Sequence, residues 1–398
     1  MAIKITLHNY VISFFTLFLA FLPLILSLSV NVSHLPNYRD EGVYIACGTA
    51  YISNFTPPAL CNFEHPPFAK YVIGFSHLLG FSRLLFMAFY AFSCYLLLLI
   101  LYRLSQDFGV SLFSSLLLFF DTLFFNTHRF LLLDPVAIVF SLASLYLALS
   151  AWCRASAVFA GLGLASKFSS APTVLASLYL VFRGGGLRKA LVFLLVAGVA
   201  YFATYGADFR LSPFAVVEHH LKMMSYMGWR HGFSPAIASI GFLKLLSRVE
   251  VWRFGGEIYM YLANANGVWT AHNTSFVAGS GLYTVVVVGL GSPAWYLLFP
   301  ALLHLTYTAL VQRDPVARFA CLWGWLSLLN VVAGPIDWYY ANALPALYAA
   351  LGLCFRRLFG RRFKVASAAL LATSIALFSA TILGLAPYKL ELRFGAPP

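Results

Sequence analysis

Charge is what this sequence lacks. Of its 398 residues, 10% are Asp, Glu, Lys or Arg and 61% are hydrophobic. A soluble domain carries about 25% charged residues, so an ordinary soluble protein is excluded. Acid is scarcer still: 13 acidic residues stand against 26 basic ones, a formal net charge of +13. In a soluble chain that excess would suggest nucleic acid. Here it accompanies repeated apolar runs of about 20 residues, each a transmembrane helix by length. The expected partners of the cations are therefore membrane lipids in cytoplasmic loops, with no nucleic acid. The six cysteines show no Cys-x-x-Cys spacing, which removes the usual metal modules. Cys94, Cys153, Cys321 and Cys354 fall in or beside helices and read as packing residues. Cys47 and Cys61 share one loop, where a disulfide and two free thiols are equally compatible with the sequence. No Ala-x-Ala signal follows the first apolar run, Tyr10 to Val30, so an uncleaved first helix is expected. No internal repeat is visible, whereas a secondary transporter, the rival class, is expected to show duplicated halves.

What is there reads as an all-α membrane protein, a single multi-pass bundle over 1–398. Apolar run length predicts about eleven spans: 9–30, 83–104, 109–127, 131–152, 155–167, 169–183, 189–207, 292–311, 317–334, 338–355 and 364–385. With the N-terminus in the cytoplasm, inner connections hold Lys4, Arg103, Arg154, Arg183, Arg188, Lys189, Arg313, Arg318, Arg356, Arg357, Arg361, Arg362 and Lys364. The short outer connections hold little beyond Arg129 and Lys167, a positive-inside pattern. Sequons at Asn31, Asn54 and Asn273 all fall outside in this topology. Two extracytoplasmic loops are long, 31–82 and 208–291. The stretch from Lys70 to Leu79 is expected along the interface, and the Gly/Asn/Thr/Ser-rich part of the second loop as a small hairpin.

The scarce charge concentrates between Tyr38 and Lys70, which holds Asp40, Glu41, Glu64, His65 and Lys70. Local rules supply plain roles. Asp40 can cap a helix from Glu41 to Ala50, and Glu41 is then a first-turn acid favoured by the helix dipole. Pro66-Pro67 marks a rigid turn. Asp134-Pro135 reads as an N-cap before a proline at the first helical position. Arg129 and Lys167 can snorkel to the interface, and His219 and His220 can be ordinary interfacial residues.

Taken together, the motifs resemble a family. Asp40-Glu41 after the first span and His65-Pro66-Pro67-x-x-Lys70 before the second are similar to the protein O-mannosyltransferases, membrane glycosyltransferases of the GT-C class that use a polyprenyl-phosphate sugar. Arg129 through Asp134, Gly161 through Lys167, Glu218-His219-His220 through His231 and Ser234, Gly291-Ser292-Pro293-Ala294-Trp295, and Tyr339-Tyr340 followed by Pro345 resemble further family segments in the same order. Phe63 stands where the family usually has an aspartate, and the inserted sugar-binding-like domain of eukaryotic members is absent, as in a compact prokaryotic or archaeal form.

The resemblance implies a GT-C bundle in the cell membrane with its active site outside. A hexose, mannose by analogy, would pass from a polyprenyl or dolichyl phosphate to a hydroxyl, protein Ser/Thr by analogy, with inversion; a lipid or glycan acceptor is the alternative. The acceptor must lose a proton in an oxocarbenium-like transition state, which assigns Asp40 as base and Glu41 as its neighbour in orienting the acceptor. The lipid-phosphate leaving group calls for cations: Arg129, Lys167 and Arg230. Glu64, His65, Lys70, Asp134, His219, His220, His231 and Tyr339 are the supporting residues. No cofactor is required; a divalent cation on Asp40, Glu64 and His65 is the weaker option, lacking diagnostic spacing.

Overall fold

A computed structural model describes residues 40–231, 276–278, 284–286, 292–333 and 337–382. The first predicted span, 9–30, lies outside them. The chain is helical. In order come α1 (Glu41–Ser53), α2 (Phe68–Leu78), α3 (Ser82–Ser105), α4 (Phe108–Phe119), α5 (Thr122–Arg129), α6 (Leu133–Leu149), α7 (Cys153–Leu164), α8 (Ala171–Ala203) and α9 (Ala215–His231). After these follow α10 (Trp295–Val311), α11 (Pro315–Ala333), α12 (Asp337–Phe359) and α13 (Phe363–Ile382). The small hairpin expected in the second loop is present: β1 (Phe276–Ala278) pairs antiparallel with β2 (Thr284–Val286), Val277 opposite Val285.

Among the described residues, three helices are long and apolar enough to cross a membrane, or four if one bent pair counts as a span. Within the described residues the predicted spans appear as several apolar helices of unequal length, with α6, α7 and much of α10 in the shorter class. Two boundaries differ from expectation for local reasons. The run 109–127 is two helices, α4 and α5, bent by 66°. Asp121 causes the break: its carboxylate accepts from Phe124 N at 2.8 Å, capping α5 and competing with helix continuation. The runs 169–183 and 189–207 are two arms of α8, separated at Gly186, whose φ of 67° suits glycine.

The largest core cluster joins α3, α4, α6 and α10–α13 through residues such as Leu97, Leu117, Leu142, Leu302, Trp323 and Leu347, all at 1% exposure or less. Beside one end of it, α1 packs on α2. A Cβ built on Gly48 would lie 2.1 Å from Lys70 O, and one on Gly74 would lie 2.1 Å from the Gly48 carbonyl carbon. The two helices therefore cross backbone to backbone, which only glycine allows. A disulfide between Cys47 and Cys61, Cα atoms 5.6 Å apart, fastens the following loop to α1.

Candidate functional site

The site is built at the start of α1. Asp40 occupies the N-cap position, since Tyr44 N donates to its carbonyl at 2.9 Å. Its carboxylate makes no capping bond, so the cap reading of the side chain does not apply. The group is exposed, and its contact is the Tyr44 hydroxyl, which donates to Oδ2 at 3.5 Å. The Tyr44 ring meets the edge of His65 at 6.3 Å, so the Asp-Glu and His-Pro-Pro segments come together.

Glu41 has a different setting. It is fully buried and pairs with Arg83 in the first turn of α3: Nη1 donates to Oε1 and Nη2 to Oε2 at 3.2 Å. Leu131 N also donates to Oε1. Arg83 Nη1 further donates to Arg129 O at 2.8 Å. Glu41 and Arg83 thus connect Asp40 to the turn that carries Arg129. The Arg129 guanidinium lies 4.9 Å from the Phe130 ring centroid. Its Nε and Nη2 are buried and have no hydrogen-bond partner among the described residues.

The other predicted cation, Lys167, is spoken for. Its Nζ donates to both oxygens of Asp134, at 3.0 and 2.8 Å, and Asn342 Nδ2 donates to Asp134 Oδ1 at 2.7 Å. Both side chains are buried, at 8% and 3% exposure. Asp134 is not the N-cap expected from Asp-Pro: α6 begins one residue earlier, with Leu132 at the cap. The carboxylate turns inward because a buried lysine, 33 residues away in sequence, needs its charge matched.

Lys70 holds the loop that carries Glu64 and His65. Its Nζ donates to Asn62 O at 2.5 Å, Asn62 Oδ1 at 3.3 Å and His65 O at 2.9 Å, which uses the directions an ammonium offers. Burial pulls its pKa down to about 7, while Glu64 and Asp208 act in the opposite direction. Glu64 accepts from Asn62 Nδ2 at 2.8 Å. The start of the second long loop is tied on from the other side. Asp208 accepts from Ala59 N at 2.9 Å and faces His219 Nδ1 at 2.7 Å. His219 Nε2 lies 3.0 Å from Phe63 O. His220 instead faces Val216 O at 2.6 Å and the Tyr201 hydroxyl at 2.9 Å, and burial lowers its pKa. The side chains of Arg230, His231 and Tyr339 lie outside the described residues. Among the described residues, no group of three His, Cys, Asp or Glu is arranged to hold a metal ion, so Asp40, Glu64 and His65 do not form one.

Residues 64–205 match the family described as dolichyl-phosphate-mannose-protein mannosyltransferase. The chain is similar to the GT-C mannosyltransferases, as its motifs imply. The matched region holds His65, Lys70, Arg129, Asp134 and Lys167, and begins after Asp40 and Glu41. No curated protein matches the chain. Two solved structures share its fold. One is ArnT from Cupriavidus metallidurans bound to undecaprenyl phosphate, with a TM-score of 0.51 and 17% identity over 96% of this chain and 63% of that one. The other is the Archaeoglobus fulgidus oligosaccharyltransferase tethered with an acceptor peptide, with a TM-score of 0.50 and 16% identity over 96% of this chain and 56% of that one. The chain spans less than two thirds of either protein. At these identities the likeness is one of fold.

Arg83, Asn62, Asp208 and Asn342 escaped sequence reasoning. For Arg83 a signal existed: it is a third cation at a span end predicted to face outward, against the same charge bias that singled out Arg129 and Lys167. The other three are uncharged or isolated, and acquire meaning through partners 2 to 208 residues away.

Proposed function

We propose that this chain is a membrane glycosyltransferase that moves a hexose from a polyprenyl phosphate to a hydroxyl outside the membrane. Mannose as the sugar and protein Ser/Thr as the acceptor follow from the family resemblance. One observation carries the reading: an exposed, uncapped carboxylate on Asp40 shares one end of the bundle with a guanidinium on Arg129 whose buried Nε and Nη2 have no hydrogen-bond partner among the described residues. A buried unpaired donor is costly, and an anionic oxygen is the group that would satisfy it. Asp40 takes the proton from the acceptor hydroxyl as its oxygen attacks the anomeric carbon. The bond from that carbon to the phosphate oxygen breaks, and its electron pair stays on the phosphate, which Arg129 holds. Attack opposite the leaving group gives inversion. The ArnT structure with undecaprenyl phosphate and the oligosaccharyltransferase structure with a tethered peptide support a lipid-phosphate donor and a peptide acceptor in this fold.

Orientation follows the charges. Asn342 reaches Asp134 from near the start of α12. Arg356 and Arg357 lie about four turns further along, roughly 21 Å away at 1.5 Å per residue. Placing the arginine end in the cytoplasm puts the Cys47–Cys61 disulfide in the oxidising compartment. The purified chain, given labelled polyprenyl-phosphate mannose and a Ser/Thr-rich peptide, is expected to label the peptide. Label recovered on lipid or glycan would move the acceptor to the alternative class. No product from any hexosyl donor would remove the enzymatic reading.

A further inference from the structure

The second acid of the Asp-Glu motif is buried where the first is exposed. Glu41 is fully buried, and its oxygens meet both terminal nitrogens of Arg83 and the Leu131 amide. The Arg83 Nη1 that binds Glu41 also donates to Arg129 O at 2.8 Å. The backbone around Arg129 is therefore gripped on two sides: its own carbonyl by Arg83, and the amide two residues later by Glu41. Phe130, Leu131 and Leu132 pack this turn into a core cluster with Tyr44, Ile73 and Phe86, so it has no room to slide.

Resting on the proposed reaction, we infer that Glu41 and Arg83 form a positioning clamp that sets the distance between the Asp40 carboxylate and the Arg129 guanidinium. Neither residue touches the substrate. In-line displacement needs the base on one face of the sugar and the phosphate receptor on the other, and a misplacement of about 1 Å costs on the order of 100-fold in rate. Three chain segments that are distant in sequence meet at the pair, so it is the point where this distance is set.

The test uses the full-length chain with polyprenyl-phosphate mannose and a Ser/Thr peptide, together with hydrogen exchange at the Leu131 amide. E41Q is expected to lower kcat about tenfold and R83A about 100-fold, with donor KM changing less than threefold in each. R83K should recover part of the loss. The E41Q/R83A double variant should be no slower than R83A alone. The acid limb of the kcat–pH profile should stay in place in E41Q, because the base remains Asp40. The Leu131 amide should exchange at least tenfold faster in R83A. Loss of the acid limb in E41Q would make Glu41 the base and overturn the inference, as would rates within twofold of wild type or losses that multiply. A Leu131 amide indifferent to R83A overturns the clamp whatever the activity. An inactive wild-type chain whose Leu131 amide does respond to R83A overturns the parent reaction instead, and with it the role assigned to the clamp.

Discussion

Two ends of the same bundle use ion pairs in opposite ways. At the Asp40 end, Glu41 and Arg83 have side chains 0% and 15% exposed, and Asp134 and Lys167 are 3% and 8% exposed. Each pair is extended by further bonds to backbone or amide groups. At the other end, Arg356 and Asp107 are 49% and 30% exposed, and Arg357 and Asp314 are 25% and 30% exposed. An exposed pair contributes about 0–1 kcal/mol. Removing one partner of a buried pair costs about 3–5 kcal/mol, because a desolvated charge is left alone. The exposed end can lose a charge and remain a cationic surface against lipid. The buried end cannot, so charge there fixes geometry.

Four substitutions would sharpen or break this contrast. Asp40→Asn is expected to lower kcat by about 10²–10⁴, the range for a lost general base, while a binding assay still finds the donor held. Turnover at the wild-type rate would remove Asp40 as base. Lys167→Ala leaves the buried Asp134 charge without its counter-ion, with the Asn342 amide still bound to it, and should destabilise the chain by about 3–5 kcal/mol, read as thermal unfolding in detergent. A melting point equal to wild type would mean that the pair is no more structural than those at the far end. Arg129→Ala should raise the donor KM roughly tenfold or more, since charge-assisted bonds to a phosphate are lost, with little effect on unfolding because the guanidinium has few protein partners to lose. An unchanged KM clears it of the phosphate role. Arg356→Ala should shift stability by about 0–1 kcal/mol and leave kinetics alone. A large effect there would erase the difference between the ends.

Much of the architecture was legible because membrane helices announce themselves by length. The two arms of α8 match predicted runs to within a few residues, and the hairpin fell inside the turn-rich stretch expected to hold one. The bend at Asp121 was not legible, since the apolar run continues across it and only the cap on Phe124 shows the break. At the candidate site, scarcity of charge and the motif spacing single out Asp40 and Arg129 as candidates. Pairing was harder to read. Asp134 looked like a cap because Asp-Pro is a local signal, while its real partner is 33 residues away. Glu41 looked like a second catalytic acid beside Asp40, yet consecutive residues at a helix start point about 100° apart, and burial separates their environments. The Cys47–Cys61 spacing allowed a bond without requiring one.

The glycine crossing of α1 and α2 has a consequence for how this site adapts. Most helix pairs are spaced by side chains, so their separation drifts as residues enlarge or shrink. Where main chain rests on main chain, no such adjustable spacer exists. The helix that Asp40 precedes and the one that follows His65-Pro66-Pro67 keep one fixed separation, and variation in what the site accepts must be written into other walls.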